Sequence, residues 1–466
     1  MKIAIVGAGI SGCATYLLLK KHLPRPLCDE SHCITIYEAH DTAAAQEDRG
    51  PDESTPSVGG GLGVGANGLG VLKRLEEKLL CDVVASGYVV PSTVIKTKNA
   101  TVLIRAQHQG NGKDARMHMV ASSRHNVWSC LRSRIPESDI VFKHVTRVVA
   151  DPIRRNIISF ADGSPSVEAD LVIGADGVKS PTRHALFPDG DHDDLSPHYE
   201  GLIGVGGFVP SVHVQKHVER GSMNFVFGGN GFFGYFFADS ATWAPQRASP
   251  FDVSEPGDRL AWWSTFAAHE YHGPDMLDKQ AMARQLRHRL RHWKDPVVQE
   301  VLASLHVVNI YPTWTLPPLP TWERHGVVLV GDAAHALPPT SGQGTSQALE
   351  DAEALTLLVC YYLREAYRER ITDVQGQKQA IRMAAKSYEK LRLPRVTKIL
   401  RDAQSMQRTK RSKGFIAEKL MYLVLWIIGW FPSLMMKRMS TVVDYNVAQE
   451  VKKLVEREEE KKKKED

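Results

Sequence analysis

Cysteine is scarce and unpatterned. Six cysteines lie scattered over 466 residues with no Cys-x-x-Cys pair, which excludes a disulfide scaffold and offers no zinc-ligand spacing. The gap between Cys28 and Cys33 matches no zinc motif, and dispersed free thiols fit a reducing compartment. Charge of one sign is also short: the formal net charge is only +5, too mild for a nucleic-acid face over the whole molecule. No Ser/His/Asp arrangement stands out, no metal cluster is legible, and no repeat of fixed period appears. Nor is there an uncharged run long enough for an ordinary membrane span. The most apolar such run, residues 420–436, has 17 residues and contains Pro432, against the roughly 20 that a spanning helix needs. The opening MKIAIVGAG lacks a cleavable signal's basic and long apolar regions and reads as a buried strand.

What is present is a chain of ordinary globular composition, 43% hydrophobic and 24% charged, long enough for two or three domains. KIAIV, then GAGISG, then CATYLLLKKH predicts strand, glycine turn and helix. Gly7, Gly9 and Gly12 form G-x-G-x-x-G in that context. The first allows the turn, the second admits a pyrophosphate close to the backbone, and the third lets helix pack on strand. The free N–H groups of the helix start then face the phosphates. CITIYEA predicts a second strand ending at Glu38, placed to accept hydrogen bonds from a ribose. A carboxylate there prefers a free 2′-hydroxyl, as in FAD or NAD.

A second strand-to-glycine-to-helix passage, VLVGDAAHALPPTSGQG over 328–344, decides between those cofactors. A simple NAD dehydrogenase needs no second dinucleotide-type turn, whereas FAD is long and must be held at both ends. Asp332 ends a buried strand and can bond ribitol hydroxyls. Gly342, Gln343 and Gly344 open a helix whose backbone N–H groups can meet the flavin edge and stabilise negative charge there. His335, within the same passage, reads as a local hydrogen-bonding residue.

The expected fold is α/β: a Rossmann-like FAD-binding domain of the glutathione-reductase kind, with an inserted mixed or antiparallel β-sheet substrate domain and a helical C-terminal region. The FAD-binding domain is expected from 1–85, 120–185 and 326–400, the substrate domain from 86–119 and 186–325, and the helical region from 401–466. A hairpin is expected to turn at Asp162-Gly163. Aromatics crowd the middle of the chain: Phe225, Phe227, Phe232, Phe233, Tyr235, Trp262 and Trp263. Because side chains alternate along a strand, about half of them can face a flavin.

GAGISG, GADGVKSPTR (174–183) and GDAAHALPPTSGQG, in this order, resemble the three motifs of the group A, single-component FAD-dependent aromatic hydroxylases. The resemblance covers roughly residues 1–400. It implies that Asp176, Gly177 and Arg183 sit where FAD and the nicotinamide cofactor approach. ASSRHNVWSCL resembles the family's arginine-led helix, which puts Arg124 near the FAD phosphates or ribose. GLGVGANGLGVLKRL resembles the segment beside the flavin, with Ala66 where a proline is usual before the asparagine, here Asn67. The implied activity is reduction of FAD by NAD(P)H, capture of O2 as a flavin C4a-hydroperoxide, and oxygen transfer to a hydrophobic small molecule, aromatic or polyketide/terpenoid-like. No catalytic acid or base is identified, and no metal is expected. The rival readings are a flavin reductase or halogenase, and a non-catalytic flavin-binding interaction protein. The halogenase Trp-x-Trp-x-Ile-Pro signature is missing. Arg49 reads as a solvated loop charge.

Residues 401–419 carry six Lys/Arg against two acids and lead into the apolar run. Residues 415–438 are therefore expected either to pack on the protein or to lie on a membrane with their basic flanks at anionic headgroups. Localisation is read as cytoplasmic, with peripheral contact on an intracellular membrane as the alternative. VEREEEKKKKED at the end reads as a frayed, solvated helix or tail.

Overall fold

The computed structural model describes residues 1–27, 31–41, 60–107, 117–188, 196–241, 249–268, 278–307, 309–371, 373–407, 414–431, 433 and 440–465. Arg49 and Cys28 lie outside these residues, as does part of 432–439.

Strand β1 (Lys2–Val6) is buried at four of its five positions, as its unbroken apolar texture requires of a parallel strand covered on both faces. Fully burying a side chain such as Ile5 contributes about 1.5–3 kcal/mol. β1 pairs in parallel with β2 (Cys33–Glu38) on one side and β12 (Leu171–Gly174) on the other. β8 (Ile140–Phe142), β19 (Val327–Leu329) and β18 (Glu323–Arg324) complete a six-stranded sheet in the order β18-β19-β12-β1-β2-β8. Helices α1 (Ile10–His22) and α2 (Ala66–Leu75) and a later helix over Gly344–Arg368 bury their apolar faces with this sheet in one core. The expected hairpin forms between β10 (Asn156–Phe160) and β11 (Val167–Ala169), with β9 (Val145–Val149) beside it.

A second, seven-stranded sheet runs β17-β13-β16-β15-β14-β5-β6. Its strands are β5 (Ser92–Thr97), β6 (Val102–Gln107), β13 (His198–Pro210), β14 (Ser222–Gly228), β15 (Gly231–Phe237), β16 (Arg259–Ala267) and β17 (Asn309–Thr315). Only the β14–β5 pair in it is parallel, so the sheet is mixed. Between the two large sheets lies a small one, β3 (Gly61–Val64), β7 (Met119–Ser123) and β4 (Tyr88–Val90). α3 (Arg124–Arg132) follows β7 directly, started by a Ser123 cap that accepts from Asn126 N–H. α4 (Lys279–Leu290) and α5 (Pro296–Ala303) cover one face of the seven-stranded sheet.

The chain closes with long helices. α6 (Gly344–Arg368) and α7 (Val374–Gln407) pack together on the first core. α8 (Phe415–Gly429) ends before Pro432 and lies against β6. α9 (Val447–Glu465) runs as a helix through the segment expected to be a solvated helix or tail, and its N-terminal half is anchored. Val447, Val451 and Leu454 are buried in the first core, and the Tyr361 and Tyr362 hydroxyls donate to Glu459 and Glu458. Among the described residues no helix is long and apolar enough to cross a membrane.

Candidate active site

The first glycine passage is built from backbone contact. Gly7 has φ +100°, and a Cβ there would stand 2.6 Å from the Ala175 carbonyl oxygen. A Cβ on Gly12 would fall 1.9 Å from the Gly7 oxygen, so helix α1 closes on the turn only because position 12 has no side chain. Gly9 differs: nothing lies within 4 Å of its would-be Cβ, and as N-cap of α1 it leaves that helix start without a side-chain cap or an acid in the first turn. Open space beside uncapped N–H groups offers room and positive potential to an anion. Glu38 reaches back to it, its Oε2 accepting from the Ala8 N–H at 2.6 Å and its Oε1 from the His40 N–H at 3.0 Å. α3 is tied to the same turn, since the Trp128 indole donates to the Ala8 carbonyl at 2.8 Å. Arg124 stands exposed in the first turn of α3.

The second passage leaves β19 in the same direction in which β1 and β2 end. Glu38 and the Gly331-Asp332 turn therefore sit on one edge of one sheet, their strands separated by three spacings, about 14 Å. Asp332 is exposed. Gly342 is left-handed (φ +59°), and Gly177, Gly342 and Gly344 all face open space where a Cβ would point. α6 begins beyond Gln343 with no side-chain cap and no acid in its first turn. The amide of Asn67 at the start of α2 donates to the Gln343 side-chain oxygen at 3.1 Å.

The middle motif lies between the two passages. Asp176 accepts from the Thr182 N–H at 3.0 Å with Oδ2, while its buried Oδ1 finds no hydrogen-bond partner among the described residues. Burial pushes this carboxyl above its ordinary pKa, against the hydrogen bonds of Ser180 and Thr182. Arg183, 4% exposed, donates to the carbonyls of Ala333 (2.9 Å), Val178 (2.8 Å) and Gly177 (3.3 Å). Burial pulls its guanidinium down to about 10, with Asp176 and Asp332 acting the other way. These bonds make Arg183 a staple between the second and third motifs, the pairing role for which an arginine suits better than a lysine.

A buried ionic cluster, absent from the sequence reading, holds the second passage. Asp351 accepts from the Gly331 N–H at 3.0 Å, from the Arg392 guanidinium at 2.8 Å and sits 2.5 Å from His335 Nε2. Arg392 also meets Glu350 and the Gln347 side chain, and Arg395 bonds both oxygens of Glu350. His335 is thus spent on Asp351 in a buried site. Nothing in the sequence around Glu350-Asp351 marks these carboxylates as buried, and the packing of α7 on α6 reveals it.

The seven-stranded sheet sorts the aromatics. Phe233, Tyr235 and Trp262 face α4 and α5 in the second core, Phe233 stacked on Trp262 at 5.6 Å and the Tyr235 hydroxyl set beside Lys96 and Asp295. Phe225, Phe227, Phe232 and Trp263 share the opposite face, with Phe236, which alternation from Phe232 reaches. A Cβ on Gly61 would stand 2.7 Å from the Phe236 ring, so this face abuts β3, and β3 leads into α2 beside Gln343.

A family model described as an FAD binding domain matches residues 142–388, more than half of the chain. The chain belongs to this family. 6-Hydroxynicotinate 3-monooxygenase of Pseudomonas fluorescens is 25% identical over 76% of this chain and 81% of its own length. 3-Amino-4-hydroxybenzoate 2-monooxygenase of Streptomyces cremeus is 26% identical over 87% of this chain and 86% of its own. Among solved structures, Klebsiella pneumoniae HpxO complexed with FAD and uric acid shares the fold, with TM-score 0.70 and 20% identity over 94% of this chain and 96% of that one. The flavoprotein is a group A FAD-dependent monooxygenase, an oxidoreductase with FAD as cofactor and a small molecule as substrate.

Proposed function

We propose that the flavoprotein uses NAD(P)H and O2 to hydroxylate or epoxidise a hydrophobic small molecule, aromatic or polyketide/terpenoid-like, with FAD laid along the edge between Glu38 and Asp332. The observation that carries this reading is one sheet edge that brings together Glu38, the uncapped start of α1 with its open Gly9 and the Gly331-Asp332 turn, against which α6 packs, its own start uncapped and its Gly342 and Gly344 open. The donor set fits the cofactor. Gly7, Gly9 and Gly12 with the start of α1 take the pyrophosphate, Glu38 a ribose, and Arg124 the phosphates or ribose. Asp332 takes the ribitol, and the N–H groups of Gly342, Gln343 and Gly344 take the flavin edge. Asp176 and Gly177 lie at the cofactor approach, with Arg183 fixing both turns.

FAD, when bound, supplies hydride acceptance and oxygen activation. The protein's part is position and dryness. The uncapped start of α6 offers positive potential to a developing negative charge. The strip of Phe225, Phe232, Phe236 and Trp263 gives the substrate an apolar wall and keeps water from the reaction space. No side chain is assigned as acid or base. A peripheral contact of 415–438 with an intracellular membrane belongs to this reading, supported by the exposed apolar residues of α8.

The test is purification with bound flavin, followed by NAD(P)H consumption against phenols and prenylated or polycyclic compounds under isotopically labelled dioxygen. The expected result is substrate-stimulated NAD(P)H oxidation with label in the product. Bound flavin with neither effect would assign the protein to the non-catalytic flavin binders, and stimulated oxidation without label to the reductases.

A further inference from the structure

Helix α8 is turned inside out for a helix in water. Glu418, Tyr422, Leu425 and Gly429 recur at the spacing of one helical face, and that face meets the protein. Glu418, 5% exposed, pairs with Lys98 at 2.7 Å and accepts from the Tyr422 hydroxyl at 2.7 Å. That hydroxyl also lies 2.8 Å from the Phe227 carbonyl oxygen. A Cβ on Gly429 would stand 2.3 Å from the Leu103 oxygen, so the helix seats tightly on β6. The opposite face holds Ile416 (82% exposed), Leu420 (59%), Leu423 (50%), Ile427 (46%) and Trp430 (65%). A surface helix normally does the reverse, burying its apolar stripe. Here an ion pair between the buried Glu418 and the half-buried Lys98 fixes the rotation that leaves the apolar stripe outside.

Three further observations say what covers it. Arg408, Lys410, Arg411 and Lys413 precede the helix, and Lys437 and Arg438 follow it in sequence. Fifteen residues span about 22 Å, so the helix fits a bilayer surface rather than its thickness. Trp426 and Trp430 stand edge to face at 4.6 Å toward its C-terminal end, residues suited to the headgroup level. A second copy packed stripe to stripe would oppose two sets of like charges.

The inner face adds direction. Leu425 packs in one cluster with Ile95, Ile104, Phe225 and Phe227, and the last two begin the aromatic strip. We propose that α8 seats the flavoprotein on an anionic membrane surface, with the β5–β6 end of the aromatic strip turned to the bilayer, so that the substrate is a lipophile drawn from the membrane. The substrate half of this inference rests on the strip being the substrate wall, as proposed above.

The test uses the full-length, FAD-loaded protein and flotation with vesicles of phosphatidylcholine alone or with about 30 mol% phosphatidylserine. The expected result is salt-sensitive binding to the anionic vesicles, reduced about tenfold or more in the Leu420→Ser/Leu423→Ser/Ile427→Ser variant, with FAD content unchanged because these side chains are exposed. A dye at Val102→Cys, on β6, is then expected to be quenched by spin-labelled lipid, and one at Ile153→Cys to be spared, in a background with Cys33 and Cys81 replaced. No flotation, or equal flotation of the variant, overturns the docking. A dimer that dissociates in the variant without vesicle binding assigns the stripe to a second copy. Equal quenching at both dyes overturns the orientation. FAD content and NAD(P)H oxidation with water-soluble phenols report on the monooxygenase reading separately from these outcomes.

Discussion

The two glycine passages reach similar geometry by different physics. The first, at Gly7–Gly12, is a backbone fit: strand, turn and helix touch so closely that no side chain can intervene. The second, at Gly331–Gly344, is longer, carries prolines and is held from behind by charges on α6 and α7. A short turn can be specified by what is missing from its residues. A longer one needs an anchor from elsewhere in the chain, and here that anchor is ionic. Burying such a cluster stabilises only while every member is satisfied.

The largest expected effect follows from that condition. Arg392→Ala takes the guanidinium out from between Asp351 and Glu350 in a fully buried site, leaving Asp351 to His335 and the Gly331 N–H and Glu350 to Arg395, and breaking such a buried pair costs about 3–5 kcal/mol. Chemical denaturation should show that loss together with weaker flavin retention. An unchanged midpoint would mean that the second passage is set by its own glycines, as the first is. Gly12→Ala should rank next, at about 1–3 kcal/mol, because its Cβ meets backbone that cannot swing aside. The same substitution at Gly9, which faces open space, should leave apoprotein stability within about 0.5 kcal/mol while lowering FAD affinity. If Gly9→Ala and Gly12→Ala proved equally destabilising, the distinction between a packing glycine and a ligand-clearing glycine would fail.

Acid should loosen the second passage first. Burial alone would raise the Asp351 carboxyl, but His335 and Arg392 outweigh it and bring its pKa down to about 2. A carboxyl depressed in the folded state contributes stability that is present above about pH 4, its unfolded value, and lost as pH falls through about 2. Denaturant midpoints measured from pH 5 to 2 should therefore fall, and Asp351→Asn should flatten that fall. A parallel pair of curves would remove Asp351 from the acid response.

This contrast also explains what was legible in the sequence. G-x-G-x-x-G is written in consecutive residues, so the first passage, its strand and Glu38 can be read directly. The fold class follows from that passage, its downstream counterpart and the alternation of the middle strands. The ionic cluster was hidden because Asp351 and Arg392 lie on different helices, and neither helix announces which face turns inward. The aromatic sorting was half legible: alternation divides Phe232 from Phe233, but only the covering helices α4 and α5 decide which side is core. Glu418 misleads in the same way, as a charge on an apolar helix that proves to be its buried contact.

The smallest expected effects are the ones that join the two passages. Under the proposed reading, Glu38 and Asp332 hold separate parts of one FAD. A hydrogen bond to a charged group contributes about 1.5–3 kcal/mol, so Asp332→Asn, which keeps one acceptor oxygen, should weaken FAD binding by less than the full loss, about tenfold. Glu38→Gln should weaken it less again, since the Ala8 N–H can still bond the amide oxygen. Both are measured by titrating apoprotein with FAD and following flavin fluorescence. The two strands end about 14 Å apart, beyond the range at which substitutions couple, so the double variant should show the sum of the two free-energy losses. If either substitution leaves FAD affinity untouched while the other acts, the two passages do not share a ligand, and their likeness is one of backbone shape alone.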